Sequence, residues 1–257
     1  MSGTILSDPI QFWLACITVT IIASFVKGAV GFAMPMIMIS GLASFLPGDV
    51  ALGVLIIPTL LANAIQALRG GVRDAWRVVR EYWRYLGAIL FFISCSAQLV
   101  SVLPQHLLLL GIGVPITVFA ITQLVGWAIP KPARDHGRIE WIIGSIAGFI
   151  GGMSGVWGPP TVAYLTAIDA PKAEAIRVQG VIYGAGAVAL ALAHTQSGVL
   201  NAQTLPLSAA MVIPMLVGMW AGFRVQDRLN QVRFRRAMLV VLVVAGANLI
   251  RRGLAGF

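Results

Sequence analysis

Acidic residues are scarce in this chain. Nine Asp and Glu stand against eighteen Lys and Arg in 257 residues, and only 11% of positions carry a charge. With 58% apolar residues and a mean hydropathy of +0.89, there is too little polar surface to wrap a soluble globule. Cysteines number two, Cys16 and Cys95, both inside apolar runs and without metal or redox spacing. That excludes a disulfide framework and reads them as small buried hydrophobes. The three histidines, at 106, 136 and 194, are isolated from one another. Paired carboxylates, a His-Glu-x-x-His helix and a nucleophile beside a base are all missing, so no catalytic residue, metal ligand or cofactor is expected. Sustained apolar/polar alternation is missing as well, which excludes a membrane β-barrel.

Long apolar runs take the place of these features, at about 10–26, 29–46, 50–68, 85–103, 105–129, 139–151, 154–168, 175–197, 205–223 and 237–250. They read as an all-α polytopic membrane protein, a single transmembrane domain over 1–257 with no stretch long enough for a separate soluble domain. Met1 to Pro9 carries Asp8 and no Lys or Arg, so it lacks the basic region of a cleaved signal peptide, and the first span is expected to be retained.

The net charge of +9 is concentrated between the runs. Arg69, Arg73, Arg77, Arg80 and Arg84 form one cluster, Lys131, Arg134 and Arg138 a second, and Arg224, Arg228, Arg233, Arg235 and Arg236 a third, together 13 of the 18 basic residues. Short basic loops of this kind face the cytoplasm and meet anionic lipid head groups. They are not interleaved with aromatics as a nucleic-acid face would be. Placing all three clusters inside puts the turn at Leu103–Gln105, the segment Asn201–Pro206 and the amino terminus outside. Matched segments then run in opposite directions, as in an inverted repeat with halves at about 10–129 and 139–250. Arg251 and Arg252 disagree, falling outside unless the last run stops short of crossing.

The halves are tied together by a motif. Phe25-Val-Lys-Gly-Ala-Val-Gly-Phe-Ala-Met-Pro35 recurs 124 residues later as Phe149-Ile-Gly-Gly-Met-Ser-Gly-Val-Trp-Gly-Pro159, so that Gly28, Gly31 and Pro35 fall on Gly152, Gly155 and Pro159. Glycines three apart with a proline four residues on interrupt a helix and free its backbone groups. Within lipid such an interruption is tolerated where it is buried in protein or lines a wet cavity. Matched interruptions in two halves point to a transport site. The competing reading is close helix packing through small residues. The runs flanking each break are short, 13 residues at 139–151 and 15 at 154–168, and read as pairs of half-helices in re-entrant hairpins. Half-helix N-termini at their tips suit an anion.

With these paired Gly-x-x-Gly-x-x-x-Pro breaks, the polar turns Pro47-Gly-Asp-Val-Ala and Pro171-Lys-Ala-Glu-Ala and the spacing of the halves, the chain resembles the sulfite exporter TauE/SafE family from about Trp13 to Asn248. The resemblance implies a bacterial-type inner-membrane carrier for sulfite, organosulfonates or similar small anions, coupled to protons. Lys27 is not part of the resemblance.

Few other polar groups lie within the runs. Lys27 stands at the first break, where a cation at mid-bilayer costs roughly 2.5–3.5 kcal/mol on insertion scales; the alternative is a lysine that snorkels to an interface. Asn63 and Gln66 share a face of the third segment, as do Gln179 and Tyr183 in its mate. Ser154 and Trp157 stand at the second break. Interhelical hydrogen bonding is the plain alternative for each. Arg177 is either a contact for the anion at the cytoplasmic mouth or the ion-pair partner of Glu174, three residues away. His194, at a helix end, reads as a surface group, and no carboxylate is buried within a span to carry a proton. A small anionic substrate, lipids and protons are thus the expected partners, and a two-fold related pair of halves can work as a monomer. A non-transporting scaffold and an intramembrane enzyme are the competing functions. The first leaves the duplicated breaks without a purpose.

Overall fold

Helices that are apolar on every side must be buried in protein or face lipid, and the longest helices here have that character. A computed structural model describes residues 9–127, 136–168, 170, 172–225 and 231–255. Among the described residues the regular structure is helical, without a strand. The first half comprises α1 (Pro9–Val30), α2 (Met34–Leu42), α3 (Gly48–Leu68), α4 (Val72–Glu81), α5 (Trp83–Ser96) with a 3-10 turn at Ala97–Ser101, and α6 (Gln105–Val125). The second comprises α7 (His136–Ser154), α8 (Gly158–Ala167), α9 (Lys172–Gln196), α10 (Thr204–Ala210), α11 (Val212–Val225) and α12 (Gln231–Leu254). Among the described residues six segments are long and apolar enough to cross a membrane: α1, α3, α5 with its turn, α6, most of α9, and α10 with α11.

An offset of 124 residues carries α1, α2, α3 and α6 onto α7, α8, α9 and α12 within a few residues, and α5 onto α10 and α11. Only α4 lacks a counterpart among the described helices. Packing repeats in the same way, since α1 lies on α11, α7 on α5, α3 on α9 and α6 on α12. Glycines set the closeness of these seams. A Cβ on Gly218 or Gly222 would strike the backbone of Ile21 or Phe25, and one on Gly144, Gly148 or Gly152 would strike Tyr85, Ile89 or Ile93. In both seams the contacts advance together along the two helices, so each pair is parallel. Along α3 and α9 they run in opposite senses: Gly180 meets Ala67, Gly184 reaches Asn63, and Arg177 reaches Gly70. Along α6 and α12 they are likewise antiparallel, with Gly113 on Leu249 and Gly253 on Leu110.

The arms of the hairpins differ from the expected half-helices. The outgoing helices α1 and α7 have 22 and 19 residues, whereas the return helices α2 and α8 have 9 and 10. At 1.5 Å per residue a return helix covers about 14 Å, half of a hydrocarbon core of about 30 Å. Helix α2 doubles back along α1, bringing Gly41 against Val19. The first break is therefore at Gly31, not Gly28, and α1 continues through Gly28 because that glycine is packed on Gly222.

Basic clusters gather at one end of the bundle. The Arg69 guanidinium stacks 4.7 Å over the ring of Phe223 at the end of α11, and Arg84 covers Gly137 at the start of α7. Lys131, Arg134, Arg228 and Pro171 lie outside the described residues. Arg251 and Arg252 end the 24-residue α12 at the opposite end, beside the start of α6.

Pro58 interrupts α3 without breaking it. A proline cannot donate to the carbonyl four residues back, and the hydroxyl of Ser208 on α10 replaces it, donating to Val54 O at 2.9 Å and accepting from Ile57 N at 3.1 Å. The backbone groups freed by Pro58 are thereby satisfied beside the breaks.

Candidate functional site

Both breaks are built alike. The Gly31 N–H donates to the Lys27 carbonyl and the Gly155 N–H to the Gly151 carbonyl, each at 2.7 Å. Both glycines then take positive φ, +88° and +71°, which turns the chain out of the helix at little steric cost. In the first break Ala33 also takes φ +77°, the one non-glycine to do so among the described residues. The prolines do not stop helices here; they start them. Pro35 lies in the first turn of α2 and Pro159 in that of α8, where the N–H lost to the ring has no helical acceptor anyway.

One buried cavity lies between the two breaks. Phe32, Ala33, Pro35 and Met36 line it from the first, Gly155 through Gly158 from the second, and Lys27, Asn63 and Tyr183 from the flanking helices. Lys27 is 2% exposed, and its ammonium donates to Asn63 Oδ1 at 2.6 Å and sits 5.7 Å from the centre of the Tyr183 ring. Ammonium is a donor only, so it fixes which end of the amide faces it. The Asn63 NH2 is consequently turned away from the lysine, buried and without a partner. No ion pair among the described residues involves Lys27. A buried cation held by a neutral amide leaves an uncompensated positive charge, which an oxyanion would satisfy through charge-assisted hydrogen bonds. The N-termini of α2 and α8 open onto the same space and add partial positive charge.

The halves differ inside the cavity. The residues 124 positions after Lys27 and Ala33 are Gly151 and Trp157, so a large side chain has moved from the outgoing helix to the break. The indole occupies the space a Cβ on Gly151 would need, at 2.8 Å.

Other expected site residues lie around the cavity, not in its wall. Gly28 and Gly152 sit in the α1/α11 and α7/α5 seams. Ser154 closes on its own turn, donating to Ile150 O at 2.7 Å and accepting from Val156 N at 3.1 Å. Gln66 is buried over the first break, its amide nitrogen 3.8 Å from a Cβ built on Gly31, and Gln179 is buried one turn before Tyr183. Arg177 pairs at 3.6 Å with Asp74 on α4 in place of Glu174. Glu174 instead accepts from the Tyr82 hydroxyl at 3.4 Å, and burial first, then the nearby Glu174 carboxylate, holds that phenol well above its ordinary range.

Two buried titratable groups escaped the reading of the sequence. His194 is fully buried, with Nε2 2.9 Å from the Gly152 carbonyl and Nδ1 3.0 Å from Ser197 Oγ. It ties the end of α9 to a carbonyl in the last turn of α7. Glu140 is 7% exposed near the start of α7, a helix outside the six membrane-length segments, and accepts a hydrogen bond from Tyr164 at 3.1 Å.

Membrane-length helices enclosing two facing breaks, with a buried lysine between them, define a polytopic helical membrane protein. The chain belongs to the sulfite exporter TauE/SafE family, whose model it matches over residues 16–249. Comparison with curated proteins and with solved structures gives no match.

Proposed function

We propose that this chain is a secondary transporter that binds a small sulfur-containing or organic anion, sulfite or a sulfonate, in the cavity between the breaks. The observation that carries the reading is the Lys27–Asn63 pair, a buried ammonium and an amide whose NH2 has no partner, on two residues that line one cavity. Gly31, Gly155 and the first turns of α2 and α8, with Pro35 and Pro159, shape the backbone around the anion. Asn63, Trp157 and Tyr183 form the wall. Gln66, Gln179, Ser154, Gly28 and Gly152 hold the helices that carry it, and Arg177 stands at the mouth on the basic end.

The transporter is a single domain of two inverted halves in the inner membrane, with its basic end in the cytoplasm. Antiparallel pairing of α3 with α9 and of α6 with α12 supports inversion, because a two-fold axis that relates antiparallel neighbours lies in the membrane plane. Gathering of the basic clusters at one end supports the orientation.

Purified protein in proteoliposomes should exchange labelled sulfite by counterflow, and sulfite should raise its Tm in detergent. Neither effect with sulfite nor with a small sulfonate would leave the cavity without an anion to hold.

A further inference from the structure

All four tyrosines of the chain lie along one route from the cavity to the basic end of the bundle. Tyr183 lines the cavity and donates to the Gly158 carbonyl at 3.3 Å. Thr161 spends its proton on the Trp157 carbonyl at 2.8 Å, so in the 2.8 Å contact between Thr161 and Tyr85 the tyrosine is the donor. The Tyr85 ring stacks on that of Tyr164, with centroids 5.5 Å apart and an interplanar angle of 23°. Tyr164 donates to Glu140 at 3.1 Å, and Tyr82 donates to Glu174 where α4 meets α9.

We propose that Glu140 is the group that takes up the coupling proton of anion transport, and that Tyr164 transmits its protonation to the cavity. The proposal rests on the transporter reading above. A carboxylate more than nine-tenths buried in a membrane bundle is costly, and such residues mark proton pathways. Packing does not require one at this place. The positions 124 residues before Glu140 and Tyr164 are Cys16 and Ser40, both buried, so the other half fills the same place without an acid.

Around Glu140, helix α5 presents Tyr85, with Tyr82 and Arg84 at its start, the Arg84 guanidinium lying over Gly137; α8 presents Tyr164, and α9 presents Glu174. On α7 itself Arg138 is exposed. In this scheme water at the basic end supplies the proton. An O–H bond forms on the carboxylate, and the Tyr164 hydroxyl loses its anionic acceptor. Tyr164 belongs to α8, whose first turn presents Gly158 to the cavity beside Trp157, so protonation loosens the tie between α7 and α8 where the anion sits. When the site reopens, the same O–H bond breaks and the proton returns to water. No other reactant is needed.

Two assays on proteoliposomes separate the parts: sulfite counterflow without a pH gradient, and sulfite accumulation driven by one. Glu140→Gln should keep counterflow and the sulfite-induced rise in Tm but lose gradient-driven accumulation. Accumulation at the wild-type level in Glu140→Gln overturns the proposal and leaves the proton travelling on bisulfite. Should Glu140→Gln lose counterflow as well, Tyr164→Phe decides, since it removes the hydroxyl and keeps the ring stack. It should displace the pH profile of accumulation with counterflow unchanged, and an unmoved profile overturns the proposal. Wild-type protein with counterflow but no response to a pH gradient overturns the proton site alone, whereas wild-type protein without counterflow or thermal shift overturns the transporter reading beneath it.

Discussion

The indole of Trp157 rests on Gly151, the residue whose counterpart in the first half is Lys27. Glycine is therefore required at 151 by a neighbour rather than by a turn, and the cavity has a cation on one side and an indole on the other. A methyl group at 151 would push the indole toward the anion. Gly151→Ala should keep the protein folded, at a cost of about 1–3 kcal/mol for overpacking, and should shrink the sulfite-induced rise in Tm. An unchanged rise would remove Trp157 from the site.

Lys27 and Asn63 give the sharpest test of the anion site. Lys27→Met should yield an inserted protein on which sulfite no longer raises Tm, and Lys27→Arg should retain part of the effect. Asn63→Asp should go further. The introduced carboxylate would pair with Lys27 and occupy the place of the ligand, so the protein without sulfite should melt higher than Lys27→Met while transport is lost. A full thermal response in Lys27→Met would make the lysine a structural donor only.

Glycines three residues apart in the same motif should fail in different ways. A side chain at Gly31 meets open space, its nearest neighbour being Gln66 at 3.8 Å, but must adopt a left-handed conformation, a cost of about 1–2 kcal/mol. Gly31→Ala should depress counterflow more than Tm. Gly28→Ala forces α1 away from Met219 and Gly222, and should depress Tm at least as strongly as counterflow. Equal profiles for the two variants would mean that both glycines serve packing.

Orientation can be read with an impermeant thiol reagent after Cys16 and Cys95 are replaced by serine. Cysteines at Ser101 and Asn201, both exposed, should react from outside, and one at Gly71, exposed at the start of α4, should not. Reaction of positions 101 and 201 from opposite faces would break the inverted arrangement.

His194→Ala should lower Tm by the equivalent of about 1–3 kcal/mol, the cost of leaving a buried acceptor unpaired, because the Gly152 carbonyl loses its imidazole partner. Counterflow per folded molecule should persist. A variant of wild-type stability would place a water, not the histidine, on that carbonyl.

Much of this arrangement could be read before any coordinates, for a physical reason. Helix breaks are written in backbone chemistry, glycine for positive φ and proline for a missing donor, so Gly31, Gly155, Pro35 and Pro159 are local signals. Lys27 stood out because an apolar run has few structural uses for a cation. Gly28 misled because its reason for being glycine is Gly222, in a helix far along the chain, and a seam between distant helices leaves no local mark. Glu140 stands near a segment end, as the other acids do, and His194 at a helix end reads as a surface group. Each is buried by a partner from another segment, Tyr164 in one case and the Gly152 carbonyl in the other. The shortness of the runs at 139–151 and 154–168 suggested equal half-helices, but α7 extends back through its polar start, where Arg84 and Tyr164 cover what hydropathy alone would place in water.

Among the described helices, α4 is the one without a twin. If the remaining helices repeat under a two-fold axis, as proposed, they would meet the same resistance to parting at either end. With α4 present, the basic end carries extra fastenings, Asp74 to Arg177 and Tyr82 to Glu174, both onto the opening turns of α9. Under the transporter reading proposed above, the two mouths would have unequal free energies of opening, and the empty carrier would rest closed toward one compartment. Such an inequality would set the affinity presented on each side of the membrane while leaving the overall direction of flux to the gradients.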